Sequence, residues 1–123
     1  MKWHEVSALV RADVIEMSHR AKTAHLASAL SCVDILTVLY TSIMELNQNS
    51  NPKQHHDKFI LSKAHASFPL CILLKEKGLN PEIKTHLEID LKNGIHCTTG
   101  SLGHGLPIAT GMAFARKKLK ELL

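Results

Sequence analysis

Only one stretch of this chain reads as a β-strand, and no other feature narrows its possible folds as sharply. "KFIL", residues 58–61, is short and apolar at its centre. A lone strand leaves its backbone donors and acceptors unpaired, so it needs a partner from somewhere. The rest of the pattern is helical. Val6, Leu9, Val10, Val14 and Met17 recur at helical spacing over residues 3–20, with Glu5, Arg11, Asp13 and Glu16 on the other side. "KTAHLASALS", residues 22–31, is small and weakly patterned and reads as a loop or broken turn. "SCVDILTVLYTSIMEL", residues 31–46, predicts a second helix with Leu36, Leu39, Tyr40 and Ile43 on one face. Ser31 with Asp34 three residues on resembles a capping box at its start.

A polar loop, "NQNSNPKQHHD" at 47–57, leads into the strand. "SKAHASFPLCILLKEKG" reads as a turn running into a helix, with Pro69 in its first turn and Gly78 at the position after its end. "NPEIKTHLEI", residues 80–89, suggests a short helix, and Asn93-Gly94 a turn. Pro107 opens a last helix through Ile108, Met112, Ala115 and Leu119, still periodic at Leu123 with no Gly or Asn cap. A lone strand and an uncapped helix predict an incomplete α/β domain. The missing strands would follow residue 123 or come from another chain, and the uncovered helix face would self-associate or bind a partner.

Length allows one domain at most, and 45% apolar residues with 21% charged is globular composition. The net charge of +4 is dispersed except for Arg116-Lys117-Lys118-Leu119-Lys120, where cations complement the end of a helix. With five aromatic residues and no basic stripe among them, nucleic-acid binding is not expected. Cys32, Cys71 and Cys97 sit among apolar neighbours with no C-x-x-C spacing, which reads as reduced thiols. The charged N-terminus carries no signal-peptide core, and "FPLCILL" is too short to cross a bilayer. A soluble, cytoplasmic protein without membrane partners is the expectation.

Four of the six glycines fall in "CTTGSLGHGLPIATGMAFARKK", residues 97–118: Gly100, Gly103, Gly105 and Gly111. Such a loop before a helix lets backbone approach an anion or cofactor and aims free amides outward. The spacing is neither G-x-G-x-x-G nor a P-loop, so a tight turn, with Gly111 allowing close helix packing, is the competing reading.

Three segments in order decide between them: "AKTAHLASALSCVDILTVLY" (21–40), "DKFILSKAHAS" (57–67) and "THLEIDLKNGIHCTTGSLGHGLPIATGMAFARK" (85–117). Together they resemble the N-terminal, diphosphate-binding half of transketolases, most of all members in which that half is a separate subunit. The likeness runs over about residues 6–120. It implies an incomplete, helix-rich N-terminal portion of the doubly wound parallel-sheet thiamine-diphosphate-binding fold, with residues 1–123 ending before the metal-binding motif. It also implies that His25 faces the reacting carbons of substrate, and that His65 lies near the cofactor diphosphate and substrate oxygens. His86 matches a third motif histidine, and Gly100, Ser101 and Leu102 match a loop lying along thiamine diphosphate. Imidazole titrates near neutral pH and can donate or accept the protons that ketol transfer moves. The other six histidines, His4, His19, His55, His56, His96 and His104, read as structural or solvated, and His55-His56 lacks a third ligand for a metal.

The chain departs from the family pattern. Ala24, Leu26 and Ala27 replace Gly, Pro and Gly, Ala64 replaces Gly, and Thr85 and Leu87 flank His86. If the replaced glycines use positive φ, alanine there costs stability or shifts the neighbouring histidine. The family holds Mg2+ or Ca2+ through the Asp of a G-D-G motif and a later Asn, yet no Gly-Asp pair occurs here. The glutamate that activates the cofactor belongs to the other half of the enzyme. The resemblance therefore implies two-carbon transfer between sugar phosphates by an oligomer that includes a C-terminal subunit or further chain. A non-catalytic assembly partner or relic is the alternative, and a 1-deoxyxylulose-5-phosphate synthase relative fits less well in its second and fourth motifs.

Overall fold

In the computed structural model, residues 2–46 and 57–121 are described. Among them, five α-helices run in chain order: α1 (Trp3–Ala21), α2 (Leu26–Leu30), α3 (Val33–Val38), α4 (Ser67–Glu76) and α5 (Gly105–Glu121). The polar loop expected before the strand, with His55-His56, lies outside the described residues except for Asp57.

α4 is the centre of the molecule. Eight consecutive residues, Ser67 to Leu74, are buried. A helix apolar on all sides must be covered on all sides. α1, α2 and α3 pack against it. Val10 and Val14 of α1, Val33 and Leu36 of α3, and Tyr40 just beyond join Leu70, Cys71, Leu73 and Leu74 in one core. The remaining side is closed by the chain after α4, which buries Pro81, Leu87 and Ile95. Burial pushes the Cys71 thiol up to about 11 and raises that of Cys32, so both stay protonated near neutral pH.

α1 ends where Lys22 turns to φ 51, its amide reaching the His19 carbonyl at 3.2 Å. α1 and α3 are joined at their outer edge by three side chains. Arg11 pairs with Asp34, Ser7 donates to the same carboxylate, and Arg11 Nη1 donates to Ser7 Oγ at 2.9 Å. Arg11, and then Ser7, hold the Asp34 carboxyl below the usual range. Asp34 is thus not the second member of a capping box: Cys32, not Ser31, precedes α3, and no side chain caps it.

Other expectations need correction. Residues 22–31 contain α2 rather than loop alone. The second helix is not one α-helix, because it widens to a π-helical turn over Leu39–Ile43. The Thr41 hydroxyl donates to the Thr37 carbonyl at 2.7 Å, a local competitor for the backbone ladder. Residues 80–89 are not helical. Their hydrogen bonds run outward instead: Ser67 Oγ donates to the Lys84 carbonyl, and Ile89 N–H donates to Thr98 Oγ1 at 2.8 Å. The last helix starts two residues before Pro107, at Gly105. Residues 58–61 form no strand, and the only β pairing among the described residues is an isolated bridge between Asp90 and Ile95. The described chain is therefore helix-rich and strand-free, and it does not itself display the sheet of an α/β fold.

α5 stands apart from the core. Of its residues only Gly105 is buried, while Leu106, Phe114 and Leu119 are exposed. One side of α5 and Asp57, Lys58 and Ile60 bound an open trough of about 740 Å³, lined also by Ala109 and Met112. Gly111 faces open space, so it does not serve close helix packing among the described residues.

Two stability outcomes follow from this distribution of burial. The Thr37 hydroxyl is fully buried without a partner, which costs about 1–3 kcal/mol. Thr37→Val is expected to raise the urea midpoint by about 1 kcal/mol equivalent, and a lower midpoint would contradict it. Leu36→Ala is expected to cost ~2–5 kcal/mol, whereas Phe114→Ser on exposed α5 should stay within ~0.5 kcal/mol in the same titrations.

Candidate functional site

The three motif histidines come from three separate places in the chain and meet. His25 immediately precedes α2, His65 lies in a short 3-10 turn (Ala64–Ala66) before α4, and His86 lies in the non-helical segment after α4. Their ring centroids are 5.0 Å apart for His25–His65, 5.9 Å for His25–His86 and 6.5 Å for His65–His86. His25 and His86 are exposed and His65 is half-buried, so the trio opens to solvent. Desolvation lowers the His65 pKa, and His25, Lys63 and His86 lower it further. The ring is therefore neutral at neutral pH, able to give or take a proton.

The substitutions in the motifs do not strain this arrangement. Among the described non-glycine residues only Lys22 has positive φ. Ala24, Ala27 and Ala64 thus occupy backbone conformations open to any residue, and the expected backbone cost is absent. Ala64 is fully buried beside His65.

Ser62 connects the histidines to the glycine loop. Its Oγ accepts the amide of Gly103 at 3.2 Å and that of Gly105 at 3.1 Å. Thr99 Oγ1 donates to the Leu61 carbonyl and makes a second tie between the same segments. A Cβ on Gly105 would meet Ser62 Cβ at 2.5 Å and Ser62 Cα at 2.9 Å, so only glycine fits there. Gly103 has φ +90, a conformation natural to glycine. With His104 N–H donating to the Ser101 carbonyl at 3.2 Å, three amides of the loop are thus used internally rather than aimed outward.

The amides of Gly100, Ser101 and Leu102 have no hydrogen-bond partner among the described residues. All three residues are exposed, and nothing lies within 4 Å of where a Gly100 Cβ would stand. Unpaired main-chain donors in an open, glycine-bounded loop fit a ligand that is met through backbone and carries acceptor oxygens, as a diphosphate does. The loop and the trio are fixed to one another through Ser62, three residues before His65. Among the described residues, no group of three or more His, Cys, Asp or Glu side chains is arranged to hold a metal ion.

Three contributors escaped sequence reasoning. Ser62 and Lys63 lie inside the quoted "LSKAHAS", so that motif held their signal, but nothing in a sequence shows which loop a serine will reach. Lys63 Nζ donates to the Ser28 carbonyl and to Ser31 Oγ, both at 2.7 Å, and so fastens α2 to the 3-10 turn. Ser28 carried no signal at all, yet its Oγ is 2.8 Å from His65 Nε2.

Known proteins share this sequence pattern. The family model "Transketolase, thiamine diphosphate binding domain" matches residues 3–122. One named subunit of the apulose-4-phosphate transketolase of Phocaeicola vulgatus is 34% identical over 119 residues, covering 87% of this chain and 42% of that protein. The corresponding apulose-4-phosphate transketolase subunit from Actinobacillus succinogenes is 33% identical over 130 residues, covering 93% and 46%. The transketolase of Aquifex aeolicus is 34% identical over 120 residues, covering 87% and 17%. This chain thus spans less than half the length of these relatives. No helix among the described residues is long and apolar enough to cross a membrane. The match along nearly the whole chain, with the motif histidines meeting in space, places the protein in the thiamine-diphosphate-binding N-terminal domain family of transketolases.

Proposed function

We propose that this chain supplies the first part of the cofactor and substrate site of a transketolase that moves a two-carbon ketol unit from a ketose phosphate to an aldose phosphate. The observation that carries the reading is the meeting of His25, His65 and His86, tied through Ser62 to a loop with free amides at Gly100, Ser101 and Leu102. The loop amides would lie against thiamine diphosphate, and His65 would stand near its diphosphate and the substrate oxygens. His25 and His86 would exchange protons with substrate hydroxyl and carbonyl groups. When bound, thiamine diphosphate supplies the carbanion chemistry.

Mg2+ or Ca2+ would be held by residues supplied from outside the described part of this chain. A C-terminal subunit, or further chain, would complete the enzyme. Two of the relatives are themselves named as subunits of a transketolase, which supports that division. The bare face of α5 and the trough beside it support a need for more protein; the complete enzyme would be a cytoplasmic oligomer. A second reading, a non-catalytic assembly partner, is favoured by that same uncovered face.

Isothermal titration of thiamine diphosphate with magnesium, with and without a candidate C-terminal subunit, separates the readings. Binding that requires the subunit is the expected result. Absence of binding in both arms would favour the assembly partner, and turnover of sugar phosphates by the lone chain would refute the need for more protein.

Gly105 offers a sharper probe. Gly105→Ala forces its new methyl onto Ser62 and should unseat the loop while the core, built on α4, keeps its helix content. Affinity for thiamine diphosphate in the assembled complex is expected to weaken at least about tenfold, or roughly 1.4 kcal/mol, with an unchanged far-ultraviolet circular dichroism spectrum. Wild-type affinity would mean that the Ser62 anchor is not part of the site.

A further inference from the structure

Ser28 lies in α2 at a position to which the family pattern assigns no residue type. It is half-buried, and its hydroxyl has one hydrogen-bond partner, His65 Nε2 at 2.8 Å. Its place is set independently of that bond. The ammonium of Lys63 donates to the Ser28 carbonyl at 2.7 Å, and Ser31 Oγ donates to the same carbonyl at 2.9 Å. Lys63 also donates to Ser31 Oγ, so carbonyl, ammonium and hydroxyl close a small ring of bonds around the end of α2. A hydroxyl mounted on so constrained a backbone is a fixed reference for the imidazole it touches.

We propose that Ser28 is a positioning residue for His65, donating its hydroxyl proton to Nε2 and thereby holding the ring as the Nδ1–H tautomer. A hydroxyl can donate to Nε2 only while that nitrogen keeps its lone pair, so donation by Ser28 requires the neutral ring. The groups around His65 act in the same direction. Desolvation disfavours a positive charge there, as do His25 before α2, Lys63 on the adjoining turn and His86 from the segment after α4. The consequence for chemistry is definite. Nε2 is occupied by Ser28, and Nδ1 carries the one proton that His65 can offer a ligand oxygen. His65 then acts as a hydrogen-bond donor through Nδ1 rather than as a base through Nε2. This refines the role proposed for His65 in the cofactor site and rests on that reading only for its functional meaning. The tautomer itself is a property of the chain.

The test is nuclear magnetic resonance on the full, 15N-labelled chain, reading ring-nitrogen shifts and the titration of each histidine. In the wild type, His65 Nε2 is expected in the unprotonated range and Nδ1 in the protonated range. Ser28→Ala keeps both bonds to the Ser28 carbonyl and suits a helix, so the fold is expected to persist. It should allow the Nε2–H tautomer and shift the His65 titration midpoint, because the serine hydroxyl pairs differently with the neutral and the protonated ring. Ser28→Thr, which retains the hydroxyl, should restore both signals. An Nε2–H ring in the wild type would overturn the proposal, as would an unchanged tautomer and midpoint in Ser28→Ala. Thiamine diphosphate titrated into the assembled complex separates this inference from the functional reading. No binding alongside the expected tautomer would sink the cofactor role and leave the Ser28–His65 relation standing.

Discussion

The structure depends on the burial of α4. Eight successive residues of that helix are removed from water, and this is possible only if α1, α2 and α3 lie on some of its sides and the 79–98 segment closes the rest. The hydrophobic effect sets the demand, and close packing sets the shape of the answer. Gly94 shows how tightly the closing segment sits: a Cβ there would come within 2.8 Å of Leu74 Cδ2. At φ +82 it also makes the turn that brings Ile95 back toward Asp90.

The site follows from that packing. His65 leads directly into α4, and His86 lies on the segment that must fold back over it. His25 stands at the head of a helix that packs on it. Burying α4 therefore draws three distant residues to one edge of the molecule. The polar bonds at that edge then refine the positions. Lys63 holds α2 against the turn, Ser62 seats the glycine loop, and Ser28 faces His65. None of these bonds could recruit its segment alone, since a single hydrogen bond nets only about 0.5–1.5 kcal/mol. They act on segments that apolar burial has already delivered.

The fold was partly legible in the sequence. The helical periodicity around Val10 and Val14 and the apolar run from Phe68 to Leu74 are local signals, and both became helices at the expected places. The failures have a common origin. The sequence of residues 80–89 suggests a helix, but the Lys84 carbonyl is bonded to Ser67 and the Ile89 amide to Thr98. Asp34 sits where a capping box would put it, but Arg11 and Ser7, 23 and 27 residues away, take its carboxylate. Residues 58–61 have the composition of a strand, but no neighbouring strand exists among the described residues to make them one. In the first two cases a partner distant in sequence outweighed a local preference, and in the third the distant partner that a strand needs is missing among the described residues.

What the sequence by itself determined is the inventory: the apolar helix that has to be buried, the motifs that mark the family, and the histidines and glycines from which a site could be made. These are properties of residue type and near-neighbour spacing, and spacing along a chain suffices to read them. Only the tertiary structure decided that alanines in the family's glycine positions carry no backbone strain. It also decided that the amides of Gly103 and Gly105 are spent on Ser62 while those of Gly100, Ser101 and Leu102 stay free, and that the hydroxyl of Ser28 faces His65. Those facts depend on φ values and on distances between segments up to 43 residues apart. Such quantities are set by how the whole chain encloses α4, and no local pattern encodes them.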